Sequence, residues 1–382
     1  AMNQADDDKK SVAPHTLNDH MFGDFYPHDH GADADHEHDF DDGPIEDNPI
    51  FQQDHVALRS VGIDIGASGT QVVFSGVHLR RQGEDLSSRY VIVERETLYQ
   101  SPVSLTPYRD EHRIDDGALG AIIDAAYHEA QIKPDDIDTG VVILTGEALR
   151  RENAEAIARI LAENGGEFVT ATAGHHMEAM LAAYGSGAAR ASFDGATRIL
   201  NIDIGGGTTK LGLCENGKVL WTAALHIGGR LIVIEDGRIV RLDPAGAFHA
   251  ERAGFDWQAG SAADPAMLEQ VASAMADLLV EALRAPALPE PAQAICLTDP
   301  PGDVSNISGV MISGGVGEYV YERETRDFGD LGPSLGREIR LRALAGAFGA
   351  PLLPAGACIR ATALGASEYS VQLSGNTSCI TT

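Results

Sequence analysis

The stretch Leu200–Leu213 reads LNIDIGGGTTKLGL. Apolar residues alternate around one aspartate, Asp203, then come three glycines and a second alternation, KLGL. This pattern predicts two strands joined by a turn almost without side chains, with a carboxylate at the strand end facing the turn. Residues Ser60–Gly76, SVGIDIGASGTQVVFSG, repeat the arrangement: Ile63-Asp64-Ile65-Gly66 matches Ile202-Asp203-Ile204-Gly205, and Thr70 matches Thr209. Each copy has hairpin spacing. A repeat about 140 residues apart points to a duplicated domain.

Between the copies the apolar period changes. GALGAIIDAAYHEA (Gly117–Ala130) has helical spacing, GVVILT (Gly140–Thr145) reads as a buried strand, and Glu147–Gly166 reads as an amphipathic helix stopped by glycine. EFVTATA is again strand-like, and GHHMEAMLAAYGSGA (Gly174–Ala188) predicts a helix ending at Gly185 or Gly187. Strand and helix in alternation predict a mostly parallel sheet with helices on its faces. Beyond the second hairpin, TAALHIGGRLIVIEDGRIVRL is strand-like with a turn at Asp236-Gly237, and Pro265–Arg284 is a long helix with Leu268, Val271, Met275, Leu278 and Leu279 along one core-facing stripe. The Pro-rich Ala287–Asp303 reads as a surface loop, and GVMISGGVGEYVY (Gly309–Tyr321) as strand, glycine turn and helix start.

At 382 residues, 43% of them hydrophobic, the chain suits two lobes with a sizeable core. No apolar run reaches the roughly 18 residues that span a bilayer, and no basic-then-apolar secretory signal is visible, so a cytoplasmic location is expected. Cys214, Cys296, Cys358 and Cys379 lie far apart without CxxC spacing, which argues against a zinc or iron–sulfur centre. The net charge of −29 is uneven: residues 1–58 hold thirteen Asp and two Glu against two Lys, with seven of the fourteen histidines. That composition predicts a disordered, acidic, His-rich leader over residues 1–57, read either as a divalent-ion chelator or as a solvated tail. A chain this acidic is a poor nucleic-acid binder, and its leader is unsuited to an anionic membrane.

Two aspartates, each beside a glycine turn, suit a nucleotide held between two lobes. Successive backbone N–H groups in such turns form an anion-binding concavity, and glycine removes the Cβ that would keep phosphate away. Gly66, Ser68, Gly69 and Thr70 are placed to hold phosphates from one side, and Gly205, Gly206, Gly207, Thr208 and Thr209 from the other. Asp64 and Asp203 would then face each other across a polyphosphate, and Mg²⁺, which prefers oxygen ligands and water, would relieve their repulsion. One carboxylate would orient the metal's water shell while the other positions the attacking water or hydroxyl. Rossmann and Walker loops run from strand into helix, so the hairpin context excludes both.

GIDIGASGT, NIDIGGGTTK and ISGGVGE resemble the first phosphate, second phosphate and adenosine motifs of the actin, Hsp70 and sugar-kinase superfamily. Gly174–Ala188 resembles its first interdomain connector and ATALGASEY (Ala361–Tyr369) its second. The resemblance implies an α/β fold of the duplicated actin/Hsp70-like, ribonuclease H-like ATPase type, with two lobes around a nucleotide cleft. The first lobe would span 58–197, completed by about 350–382, and the second 198–349. It places Gly314, Gly315 and Gly317 at the adenosine and Gly228-Gly229 at another phosphate-side turn.

SVGIDIG, LTGEALRRENA, TAGHHMEA, RILNIDIGGGTTKLGL, IGGRLI and ISGGVGE, in that order, resemble the ethanolamine ammonia-lyase reactivating factor family, the EutA type, over roughly residues 60–375. Two departures stand out: Ala67-Ser68-Gly69-Thr70 replaces a run of threonines, and the chain ends soon after the second connector, where the family continues. The resemblance implies a slow Mg²⁺-dependent ATPase that acts, chaperone-like, on the adenosylcobalamin-dependent lyase and promotes exchange of damaged cobalamin. Cytoplasm or a bacterial microcompartment would be its location, and no oligomeric state is implied. A small-molecule kinase on the same fold is the alternative, with Glu147 the best candidate for a base or else a helix N-terminal acid. A nucleotide-dependent filament protein is a third reading.

Overall fold

In the computed structural model, the described residues are 55–66, 69–81, 90–110, 113–145, 152–153, 157, 168–172 and 174–366. Residues 1–54 of the acidic leader, Ser68, Glu147 with most of its proposed helix, and the end of the second connector lie outside them, whereas His55–Ala57, expected in the leader, already belong to the first strand. Two sheets carry the architecture. The first contains β1 (His55–Ile65), β2 (Thr70–Arg81), β3 (Tyr90–Gln100), β6 (Thr139–Leu144) and β7 (Phe168–Thr172), in the order β3-β2-β1-β6-β7. Two short strands, β4 (Tyr108–Asp110) and β5 (Arg113–Ile114), pair separately before helix α1 (Asp116–Ala130).

Alternation explains the first sheet. Val61, Ile63 and Ile65 of β1 join Val72 and Phe74 of β2 in one core, closed by Leu119, Ile123 and Ala126 of α1. Phe74 meets Tyr127 edge-on at 4.8 Å between ring centroids. Every residue of β6 is buried, as expected of a central parallel strand covered on both faces. Asp115 caps α1, its carboxylate accepting from the Ala118 N–H.

The second sheet contains β8 (Arg198–Ile204), β9 (Thr209–Glu215), β10 (Lys218–Leu225) and β13 (Ile307–Ser313), in the order β10-β9-β8-β13. Its core takes Leu200, Ile202 and Ile204 from β8 and Leu211 and Leu213 from β9. Helix α5 (Pro265–Arg284) adds Val271, Met275, Leu278 and Leu279, whereas Leu268 is only partly buried. Between these elements lie α2 (His175–Gly185), α3 (Ala188–Asp194), hairpin β11 (Ile232–Glu235) and β12 (Arg238–Leu242), and α4 (Pro244–Arg252). Asp236 and Gly237 turn that hairpin with φ of 49° and 72°, the left-handed pair that a two-residue hairpin loop requires. Helices α6 (Glu290–Ala294), α7 (Gly314–Val320) and α8 (Gly332–Leu344) follow, so the Pro-rich segment holds a helical turn where a plain loop is expected.

The sheets are mixed, not mostly parallel. β8 and β9 pair antiparallel, as do β9 with β10 and β2 with β3, whereas β1–β6, β6–β7 and β8–β13 are parallel. The turns inside each copy force antiparallel neighbours, and parallel strands enter only where a longer connection returns the chain. The described residues from 57 to 366 belong to one compact unit. Inside it, α2 and a helical segment at 361–366 cross with backbone touching backbone. A Cβ on Gly185 would come within 1.8 Å of the Ala361 carbonyl oxygen, and one on Gly365 within 2.0 Å of the Leu181 oxygen. Among the described residues, no helix is long and apolar enough to cross a membrane.

Candidate functional site

Both aspartates occupy the strand ends the sequence predicts. Asp64 is the penultimate residue of β1, two residues before Gly66, and Asp203 that of β8, two residues before Gly205. The turns repeat the same closure: the Gly66 N–H donates to the Gly69 oxygen at 2.9 Å, and the Gly205 N–H to the Thr208 oxygen at 3.0 Å. In the second turn the Gly205 and Gly206 carbonyls are drawn back by the Gly229 and Arg230 N–H groups, at 2.9 and 2.7 Å. The N–H groups of Gly206, Gly207 and Thr208 make no backbone hydrogen bond among the described residues. With its carbonyls held from behind, that turn has the donors of an anion nest.

Gly228 and Gly229 lie behind this turn, both buried. A Cβ on Gly228 would sit 2.3 Å from the Gly206 oxygen, and one on Gly229 would sit 2.7 Å from Val316 of α7. Gly314 takes φ +81°, and its α-carbon lies so close to β8 that a Cβ would meet the Ile204 oxygen at 2.3 Å. Gly315 is half-buried against Ile359, and Gly317 is buried against the Ile312 backbone.

Thr70 and Thr209 are fully buried, and their hydroxyls are committed inside the protein. Thr106 donates to the Gly66 carbonyl at 2.7 Å, so its one proton is used and Thr70, 3.0 Å away, is the donor between them. Thr209 donates to the Ile227 carbonyl at 2.8 Å, tying the second turn to the segment that carries Gly228. Each threonine fixes a turn from beneath.

Among the described residues, four charged side chains, Asp64, Asp203, Lys210 and Glu178, converge between the turns. Thr145 donates to Asp64 at 3.2 Å, and Ser313 donates to Asp203 at 2.7 Å while accepting from the Asn201 amide at 3.1 Å. Lys210, directly opposite Asp203 in the β8–β9 register, forms an ion pair with Glu178 of α2. Burial, with the Glu178 charge behind it, pushes Asp64 up to about 7, and Asp203 adds to the rise. Burial also raises Asp203, against the pull of Lys210 and the Ser313 hydrogen bond. For Lys210 burial works against the charge, but Glu178 and Asp203 outweigh it and hold the ammonium above its usual value.

Glu178, Lys210, Thr145 and Ser313 are site residues that motif reading passes over. Glu178 reads as one polar position on a helix and Lys210 as one polar position in a strand alternation. The signal for Lys210 was the repeat itself, since it stands seven residues after Asp203 as Gln71 stands seven after Asp64.

The donor set fits a hydrated magnesium ion beside a polyphosphate. Among the described residues there is no group of three or more His, Cys, Asp or Glu able to cage a metal. Mg²⁺ seldom needs such a cage, being held by one or two carboxylates with waters and phosphate oxygens.

Residues 56–382 match the family model described as ethanolamine utilisation protein EutA. The ethanolamine ammonia-lyase reactivase EutA of Salmonella typhimurium is 38% identical over 330 residues, covering 84% of this chain and 69% of that protein. The protein of the same description from Escherichia coli strain K12 is 37% identical over 334 residues, with the same shares covered. Among solved structures, a Ppx/GppA family member from Aquifex aeolicus aligns over 86% of this chain and 100% of its own, with 13% identity and a TM-score of 0.45. The family assignment rests on the first three matches: the chain belongs to the EutA family.

Proposed function

We propose that this chain is an ATP-dependent reactivating factor for ethanolamine ammonia-lyase. Family membership supports the partner. The observation that carries the nucleotide reading is the pair of equivalent turns, each closed by the same hydrogen bond and each preceded by an aspartate. On this reading the N–H groups of Gly206, Gly207 and Thr208 hold phosphate oxygens, and Gly66 and Gly69 serve the opposite side. Asp64 and Asp203 hold Mg²⁺, directly or through its waters. When bound, the ion neutralises phosphate charge that would otherwise repel both carboxylates. Asp203, kept in one rotamer by Ser313, orients the attacking water. Of the three glycines expected at the adenosine, the half-buried Gly315 gives the nucleoside a surface free of a side chain, whereas Gly314 and Gly317 are buried and pack α7 against β8 and β13.

The lobes at 58–197 with 350–382, and at 198–349, would close on the triphosphate and open after hydrolysis, giving the two states a reactivase needs. The lyase uses adenosylcobalamin, and opening it lets a damaged cobalamin leave and an intact one enter. The cobalamin belongs to the lyase, which acts in the cytoplasm or in a microcompartment. The kinase alternative is not favoured by the family match, and Glu147, its candidate base, lies outside the described residues.

The test is recovery of activity. Lyase inactivated with hydroxocobalamin is incubated with this protein, ATP, Mg²⁺ and fresh adenosylcobalamin. ATP-dependent recovery, with release of hydroxocobalamin, is the expected result. No recovery at any protein concentration would overturn the proposal.

A further inference from the structure

Among the positions at which the two copies differ, one exchanges a neutral side chain for a charge. Seven residues after each aspartate the strand leaving the turn carries Gln71 in one copy and Lys210 in the other. Gln71 is buried; its amide nitrogen donates to the Ile359 carbonyl at 3.0 Å, and its amide oxygen has no hydrogen-bond partner. Lys210 is 8% exposed and reaches Glu178, itself 3% exposed, on the helix that runs beside the second sheet. The antiparallel register sets Lys210 opposite Asp203, so both side chains leave the same face of the hairpin beside the mouth of its turn. Among the described residues, Lys210 is the cation whose charge acts on both Asp64 and Asp203.

A buried ion pair of this kind gives little net stability, because both partners lose their hydration. Stability alone therefore gives a weak reason for a lysine here. Among the described residues, a polyphosphate entering between the turns meets three carboxylates and one ammonium, and that ammonium is the attractive charge they supply. Lysine suits an exchange of partners: a compact charge on a flexible stem can leave one oxyanion for another without moving the backbone. Glu178 stays on its helix.

Resting on the nucleotide reading above, we infer that Lys210 is a ligand of the terminal phosphate, parked on Glu178 until a triphosphate enters, and that it makes the site tell triphosphate from diphosphate. A diphosphate occupies the turns but ends short of the lysine, which keeps its pairing with Glu178. The purely structural alternative is that Lys210 only neutralises the carboxylates, in which case both nucleotides depend on it equally.

Calorimetric titration of the full chain with the Mg²⁺ complexes of adenylyl imidodiphosphate and of ADP separates the two. In Lys210→Met the triphosphate analogue is expected to bind about 10- to 100-fold more weakly, with ADP changed less than about 3-fold. Lys210→Arg should recover part of the loss, and Glu178→Gln, which frees the lysine, should retain or tighten analogue binding. Should Lys210→Met fail to fold, the double variant Lys210→Met/Glu178→Gln removes both ends of the pair and carries the same expectation. Equal weakening of both ligands, or weakening of neither, would overturn the inference. A wild-type chain that bound neither nucleotide would instead overturn the nucleotide reading beneath it.

Discussion

Burial makes charge on Asp203 costly, and the hydroxyl of Ser313 with the nearby Lys210 ammonium offsets part of that cost. On the proposed function, a carboxylate kept where its charge is costly is held there for chemistry. Asp203→Ala is therefore expected to reduce ATP turnover by roughly 10²–10⁴-fold while the thermal midpoint, followed by circular dichroism, stays level or rises. Turnover equal to wild type would remove Asp203 from the chemistry. The glycines behind it answer to a different measurement. Gly206→Val should block phosphate approach in a folded protein, so nucleotide titration reads it. Gly228→Ala sets a methyl 2.3 Å from the Gly206 oxygen and should cost about 1–3 kcal/mol of stability, visible in urea unfolding. A Gly228→Ala protein as stable as wild type would show that the second turn moves freely away from its support.

The elements were legible wherever one face was buried and the period was clean. β1, β6, β8, β9 and α1 fall where alternation and helical spacing put them, because a half-buried strand or helix writes its face into the sequence. Both aspartates were legible because the chain repeats them. Sheet direction was not, since the strand–helix alternation that implied parallel pairing describes the segment between the repeats and leaves out the turn within each. Glu178 was not, since its partner lies on another element, and only tertiary packing gives a buried acid on a mostly apolar helix its meaning. The same helix gives a prediction at this scale. Where α2 crosses the segment at 361–366, Gly365→Ala would force a methyl onto the Leu181 carbonyl. It should destabilise the chain by about 1–3 kcal/mol and weaken nucleotide binding together, whereas loss of stability with unchanged binding would separate the crossing from the site.

For the molecule as a whole, the ionisation of Asp64 sets a pH dependence in the absence of nucleotide. Its carboxyl moves from 3.8 to about 7 on folding, chiefly through burial. Below about pH 4 folded and unfolded chains both hold the proton; between about 4 and 7 only the folded chain does; above 7 neither does. Folding takes up a proton in that window, so this stabilisation is present in acid and is lost as pH rises toward 7. Asp64→Asn removes the effect. It should stabilise the unliganded protein relative to wild type at pH 8, by at most a few kcal/mol, with a smaller difference at pH 5. The same difference at both values would mean the carboxyl stays ionised in the folded chain.

The residues at 358–360 draw the two sheets into one mechanical circuit. The Ile359 carbonyl takes the Gln71 amide from the first sheet, its N–H reaches Glu318 on α7, the Cys358 carbonyl holds the Gly314 N–H, and Arg360 reaches the Ser101 carbonyl beyond β3. These three residues thus act as a tendon attached beside the first turn, through Gln71, and on α7, through Gly314 and Glu318. A shift of this short segment would therefore load the strand that carries Gln71 and the helix that carries Glu318 together, one from each half of the repeat.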